Sequence, residues 1–228
     1  MNLLKKIKLA RKTFLTKYQR SYYSQFGEDA ILRELVGRKK QGFYVDVGCY
    51  HPKRFSNTYM LHRRGWFGIN IDMEEDKVFC FKLARPNDHN IVAAVSNSNE
   101  QVTIFRDRPF SLGTTINPVI GERICGGVGA ETILTKTLDE IILASPFKDL
   151  IIDVLSIDCE GHDFSVLMSL DIDRFKPGIL IIEDQLMDIE LILVGETYQY
   201  LRSKGYLLRS WTHLSLIFVR NGSAQDGS

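Results

Sequence analysis

The sequence predicts an α/β protein with a doubly wound, mostly parallel sheet, helices on both faces and an antiparallel edge. Three observations carry that expectation. Short apolar, β-branched runs alternate along the chain with segments of helical character. Runs such as "PGILIIED" are continuously apolar, as strands covered on both faces are. The last two runs, "YLLRSWT" and "SLIFVR", are separated by a polar turn around His213, which reads as a hairpin.

The chain opens with a basic segment over residues 1–20. In "MNLLKKIKLARKTFLTKY", Leu3, Ile7, Ala10, Phe14 and Tyr18 fall on one helical face and cations occupy much of the remainder. Two readings stand for it: a solvated helix whose apolar side packs on the domain, or a peripheral contact with anionic lipid. Residues 21–220 form the domain proper. "SQFGEDAILREL" reads as a helix with Ser24 as cap and acids in its first turn. "GFYVDVG" is the first buried strand, and "SNTYMLHRRG" a helix capped by Ser56 or Asn57. "WFGINID" is the second strand, with a helix after it to about Ala84; "NIVAAVS" is the third strand. "EQVTIFRD" alternates as an exposed strand does. Residues 111–130 contain Gly113, Gly121, Gly126, Gly127 and Gly129 and read as a long irregular loop. "TLDEIILAS" is a helix, "IDVLSIDCEG" a strand, "DFSVLMSL" a helix and "PGILIIED" a strand. "ETYQYLRSKG" is a helix ending at Gly205. The tail over 221–228, "NGSAQDGS", is small and polar and is expected to fray.

Composition narrows the function classes. The 228 residues suit one large domain, and 44% apolar with 25% charged content is ordinary for a globular chain. A net charge of +1 argues against a dedicated nucleic-acid binder. Seven of the cations stand in the first twenty residues, so the rest of the chain carries −6. Cys49, Cys80, Cys125 and Cys159 lie more than thirty residues apart, without a CxxC pair. They read as reduced thiols of a cytoplasmic protein. No apolar run approaches the roughly 20 residues a membrane span needs, and the charged N-terminus lacks the apolar stretch of a signal peptide.

Ligands of doubly wound sheets bind beyond the carboxyl ends of the strands. Those ends are polar here: Asp46, Gly48, Cys49, Tyr50 and His51 after the first strand, then Asp72, then Asp158 and Glu160, then Glu183 and Asp184. Four acid-bearing ends in the same topological position predict a shared crevice. No G-x-G-x-x-G follows the first strand and no G-x-x-x-x-G-K-[ST] loop occurs, so a phosphate seat is missing. A cofactor with an adenosine and no phosphates fits better. Asp72, 24 residues after Gly48, is placed to accept from ribose hydroxyls. S-adenosylmethionine meets this description, and its ammonium favours nearby acid.

The blocks "YSQFGEDAIL", "YVDVGCYHPKRFSNTYMLHRRGWFGINID", "TKTLDEII" and "VLSIDCEGHDFSVLMSLDIDRFKPGILIIE" together resemble the FkbM-type S-adenosylmethionine-dependent methyltransferases. The resemblance covers about Tyr23 to Asp184. It implies a Rossmann-like class I methyltransferase fold with a seven-stranded sheet, commonly acting on hydroxyls of sugars or secondary metabolites. By position, Asp46 and Gly48, with Cys49 beside them, match the first cofactor motif. Asp72, followed by Met73, matches the ribose-binding acid, and Gln25 is expected near the methionine end. Many relatives carry Asn where this chain has Tyr50-His51, which leaves the role of His51 open.

Methyl transfer to an alcohol needs an aligned nucleophile and removal of its proton. A histidine could act as base, at His162 or His51, with Asp158 and Glu160 completing the acceptor side. A divalent metal could instead acidify the hydroxyl. Asp158, Glu183 and Asp184 are spaced in a way similar to the metal site of catechol O-methyltransferase-like enzymes, and oxygen ligands suit Mg²⁺ or Mn²⁺. The structural alternatives are that Glu160 caps the following helix, that Glu183 holds a loop, and that either histidine is a surface residue. His62, His89 and His213 are assigned to surface or loop. The glycine-rich loop is the expected cover of the acceptor side. The leading expectation is thus a cytoplasmic sugar or glycan O-methyltransferase, with peripheral membrane contact as the second of the two readings of its basic helix. A small-metabolite or nitrogen acceptor, a degenerate scaffold domain and a nicotinamide oxidoreductase are the alternatives.

Overall fold

The computed structural model describes residues 1–16 and 21–222. In chain order the elements are α1 (Leu3–Leu15), α2 (Glu28–Val36), β1 (Phe43–Val47), α3 (Tyr59–His62), β2 (Phe67–Asp72), α4 (Glu75–Ala84) and β3 (His89–Val92). Next come β4 (Ala94–Val95), β5 (Gln101–Phe105), α5 (Pro118–Cys125), β6 (Gly129–Lys136), α6 (Leu138–Ala144), β7 (Val154–Ile157) and α7 (Asp163–Met168). The chain closes with α8 (Ile172–Phe175), β8 (Ile179–Glu183), α9 (Ile189–Val194), α10 (Glu196–Ser203), β9 (Tyr206–Thr212) and β10 (Ser215–Arg220).

Seven strands form one sheet in the order β3-β2-β1-β7-β8-β10-β9. Five of them, β3 to β8 across the sheet, run parallel, and the β9–β10 hairpin adds an antiparallel edge. The chain works outward from β1 to β3 and then returns to β7 on the other side of β1. That reversal is the switch point at which such sheets open a crevice.

Alternate residues of the buried strands feed two cores. Phe43, Val45 and Val47 of β1 join Ile69, Ile71, Leu155, Ile157, Leu180 and Ile182 against Leu138, Ile141 and Ile142 of α6 and Leu201 of α10. On the opposite face Tyr44, Val154, Ile179, Ile181 and Ile217 pack on Leu32 of α2 and on Met60 and Leu61 of α3. Every residue of β1, β7 and β8 is buried, which is why these strands read as unbroken apolar runs.

Four local expectations change. "NIVAAVS" is two strands in two sheets: the ladder of β3 continues to Ala93, whose amide donates to Asp72 O at 3.0 Å, and β4 then joins a three-stranded sheet with β6 and β5. The 111–130 loop contains α5, begun by Asn117, whose side chain accepts from Val119 and Ile120 amides, with Pro118 in the first turn and Gly126 left-handed at the end. β6 begins at Gly129. Ser24 pairs with Asp29 within the first turn of α2, while Gly27 holds the cap position. None of the residues of α1 is buried, so its apolar side does not pack on the domain. The expected frayed tail falls largely on 223–228, and the last residues of the basic segment on 17–20, outside the described residues.

One buried cation ties the β1–α3 connection to the sheet. Arg85, fully buried, donates to Tyr44 hydroxyl (3.0 Å), Thr58 Oγ1 (2.8 Å), Ser56 Oγ (3.0 Å) and the Pro52 carbonyl (2.6 Å). Asp46 and Asp88 are buried in its field. Removing one member of a buried charge network leaves the others uncompensated. Arg85→Ala is therefore expected to lower unfolding free energy by about 3–5 kcal/mol in denaturant titrations; a loss below about 1 kcal/mol would show that water reaches Asp46 and Asp88.

Candidate functional site

The crevice at the switch point is built first by backbone. Gly48 leaves β1 with φ +75°, and a Cβ on it would stand 1.8 Å from the Asp158 carbonyl oxygen. Only glycine fits this position. The amides of Gly48 and Cys49 both donate to Ile71 O, at 2.9 and 3.1 Å. Tyr50 follows at φ +46°, and its amide donates to Asp72 Oδ2 at 3.2 Å, while Asp72 Oδ1 accepts from Glu74 amide at 2.9 Å. The ends of β1, β2 and β7 are thus locked together around one cavity.

Seven of the expected residues line that cavity: Gln25, Gly48, Asp72, Met73, Asp158, Glu160 and His162. Ile71, Met73 and Ala93–Val95 give one wall an apolar surface, and Tyr50 and Phe55 add aromatic rings. Leu112, Thr114 and Ile116 contribute from the glycine-rich segment, which is fastened across the mouth. Thr115 Oγ1 donates to Glu160 O (3.0 Å) and Asn117 Nδ2 to Gly161 O (2.8 Å).

His162 carries a neutral imidazole at neutral pH, because burial lowers its affinity for a proton. Its Nε2 lies 3.0 Å from Ser96 Oγ. The carboxyls beside it behave differently from ordinary acids. Burial, then the charge of Asp158, Asp163 and Glu160, pushes Glu183 up to about 10. Burial and the same neighbours raise Asp158. Glu183 Oε2 is buried without a hydrogen-bond partner, and Asp158 is the first of the charges that raise its carboxyl. Glu160, also raised by burial, sits at φ +50° with its carboxyl toward the cavity. The turn after β7 is closed by Asp163 rather than Glu160: its oxygens accept from the Cys159 (2.7 Å) and Gly161 (3.0 Å) amides.

Five expected residues stand outside the lining. Asp46 is buried behind Gly48 and accepts from Thr58 Oγ1 at 2.5 Å. Cys49 is buried, and burial raises its thiol far above the usual range. His51 uses Nδ1 to accept from the Lys53 and Arg54 amides, both at 3.0 Å. Its neutral ring therefore carries the proton on Nε2 and has no lone pair free to take another. Glu183 is buried in β8 and absent from the lining, and Asp184 Oδ1 accepts from Leu186 amide at 3.0 Å. The expected Asp158–Glu183–Asp184 cation site is not assembled. Among the described residues no group of three or more His, Cys, Asp or Glu could hold a metal ion.

A charged group absent from the sequence reading borders the Asp72 end. Lys77, buried in α4, lies 2.7 Å from Glu74 Oε1 and 3.7 Å from Asp72 Oδ2, with its ammonium 5.4 Å from the Tyr50 ring centroid. Glu74 also accepts from Thr114 Oγ1 (2.5 Å), Phe110 amide (2.9 Å) and Arg106 Nη1 (3.2 Å). Burial pushes Glu74 up, but Lys77, Thr114 and the Phe110 amide outweigh it and hold it below the usual range. In "DMEEDK" these residues look like the solvated first turn of a helix, so no sequence signal marks them as buried.

The raised carboxyls set a pH dependence with a definite sign. Between the ordinary glutamate value of 4.5 and about 10, the folded state holds a proton at Glu183 that the unfolded chain has lost. Stability therefore falls as pH rises through that window. The thermal midpoint should drop from about pH 6 to about pH 9, and Glu183→Gln should flatten the drop. An unchanged slope in the variant would remove the Glu183 proton from the account.

The sequence-family description "Methyltransferase FkbM domain" matches residues 46–208, from the end of β1 into β9. No curated protein and no solved structure shows significant similarity to the chain. The match covers every lining residue of the crevice but Gln25 and most of the sequence, and on it the chain belongs to the FkbM methyltransferase family.

Proposed function

We propose that this chain transfers a methyl group from S-adenosylmethionine to a hydroxyl of a sugar or glycan. The observation that carries the reading is the pairing, in one crevice, of a backbone-pinned acid at Asp72 with a neutral imidazole at His162. The residues present fit this donor. Asp72 accepts two backbone amides, leaving acceptor capacity for ribose hydroxyls. The close-packed Gly48 leaves backbone rather than side chain at the cavity floor. The apolar wall of Ile71, Met73 and Ala93–Val95 suits a planar base. Asp158 and Glu160 offer carboxyls to a cationic ligand.

When bound, the donor supplies a methyl group on a positively charged sulfur, a carbon already activated for in-line displacement. The protein's tasks are alignment and proton removal. His162 can take the hydroxyl proton because it is unprotonated at neutral pH. In the tautomer this requires, Nε2–H donates to Ser96 Oγ, which holds the ring, and Nδ1 keeps the lone pair that takes the proton. The loop carrying Leu112, Thr114 and Ile116, tied to Glu160 and Gly161, covers the crevice and limits water. No step is routed through a divalent cation, since the donor set for one is not assembled.

Purified protein incubated with labelled S-adenosylmethionine and a panel of nucleotide sugars and glycans, with and without EDTA, tests the reading. EDTA-insensitive label in an ether product is expected; label only in amines would move the acceptor to nitrogen. Asp72→Ala should weaken calorimetric binding of the donor and its demethylated product by at least about tenfold, and unchanged affinity would remove Asp72 from the ribose. His162→Ala should lower kcat by about 10²–10⁴ while donor affinity changes less than about threefold. Full turnover in that variant would end its role as base.

A further inference from the structure

Helix α1 takes no part in the crevice, yet its surface is the least ordinary of the chain. None of its residues is buried, and Leu3, Leu4 and Phe14 are 71%, 74% and 84% exposed. At 100° per residue, Ala10, Leu3, Phe14, Ile7, Leu4 and Leu15 share one arc, while Lys5, Lys6, Lys8 and Lys12 lie beside or opposite it. Arg11 falls within the arc, where its long stem can lie along apolar surface with the guanidinium directed outward. The helix contains no acid. A helix of 13 residues gains little stability alone in water, so the open arc marks a missing partner.

The charge says which partner. A second copy of the helix would bring five cations against five, with no acid to offset them. The same sign continues where the chain enters the domain. Tyr23 lines a shallow cleft with Arg33, Arg63 and Arg64, and Arg63 bonds the Tyr23 hydroxyl. Thr16 and Ser21 can be at most about 18 Å apart along the chain, so helix and cleft belong to one neighbourhood. Among the described residues no helix is long and apolar enough to cross a membrane. The fitting surface is one with anionic phosphates above an apolar layer.

We propose that α1 lies in the headgroup plane of an anionic lipid bilayer, its apolar arc in the acyl boundary and its lysines on lipid phosphates. This placement is independent of the methyl acceptor. Flotation of the full chain with vesicles of phosphatidylcholine, alone or mixed with phosphatidylglycerol, tests it. Binding to the mixed vesicles should exceed binding to neutral ones by at least about tenfold and weaken strongly from about 0.1 M to about 0.5 M salt. The combined variant Lys5→Glu, Lys8→Glu, Lys12→Glu should lose that binding. Ile7→Asp with Phe14→Asp should weaken it at least about fivefold. Both variants should keep the parent's thermal midpoint, because α1 packs on nothing in the domain. Equal flotation with neutral vesicles, no flotation with anionic ones, or full binding by either variant would overturn the proposal. So would self-association through α1 in light scattering without vesicle binding.

Discussion

The crevice rests on one close approach, that of Gly48 to the carbonyl of Asp158. A methyl group there would overlap the oxygen, so β1 and β7 end flush against each other only because the residue lacks a side chain. The neighbouring backbone bonds extend this contact: Asp158 amide donates to Val47 O, and Gly48 and Cys49 amides donate to Ile71 O. Three strand ends are therefore held by main chain, and the side chains that follow them are free to differ. That division of labour explains how Asp72 and His162 come to line one cavity while the chain beside them turns through positive φ at Tyr50 and Glu160.

The two sides of the crevice are electrostatic opposites. Around Asp72, acids and cations alternate within hydrogen-bonding range, and Glu74 is held ionised by Lys77, Thr114 and the Phe110 amide. Around Asp158 four carboxyls lie together and burial raises every one of them, with mutual repulsion adding to it at Asp158, Asp163 and Glu183 and Lys77 drawing Glu160 the other way. The first arrangement holds Glu74 ionised beside Asp72, whose own carboxyl burial raises against the pull of Lys77. The second keeps protons, and it gives them up most readily when a positive ligand approaches.

Much of this was legible in the sequence, and the misses share physical causes. β1, β7 and β8 were readable because burial on both faces leaves unbroken apolar runs. The acids just past such runs, Asp158 and Glu160, reach the crevice, whereas Asp46 and Glu183 belong to the strands themselves and are buried with them. By contrast, Ala93 and Ala94 suit either sheet, so the departure of the chain from β3 into β4 left no mark. α5 went unseen because five glycines outweighed the Asn117-Pro118 start and the Gly126 stop that define it. Glu74 and Lys77 went unseen because a charged first turn is normally solvated; only the fold of 106–114 over them reveals their burial. His51 misled for a related reason. An imidazole at a strand end can serve chemistry or a turn, and the two amides on Nδ1 decide for the turn.

On the proposed reading, the carboxyl cluster also bears on where the reaction's proton goes. Burial and mutual repulsion raise Asp158 and Glu183, and positive charge brought against Asp158 would lower it again. Methyl transfer removes the positive charge from sulfur and releases one proton from the hydroxyl, so charge is conserved while its location changes. As that charge leaves, the proton affinity of the Asp158 group rises again. His162, whose proton affinity burial lowers, stands on the same turn as Asp158 and Glu160 and lines the same cavity. On that reading the raised carboxyls beside His162 are where a proton can be held as positive charge leaves the sulfur.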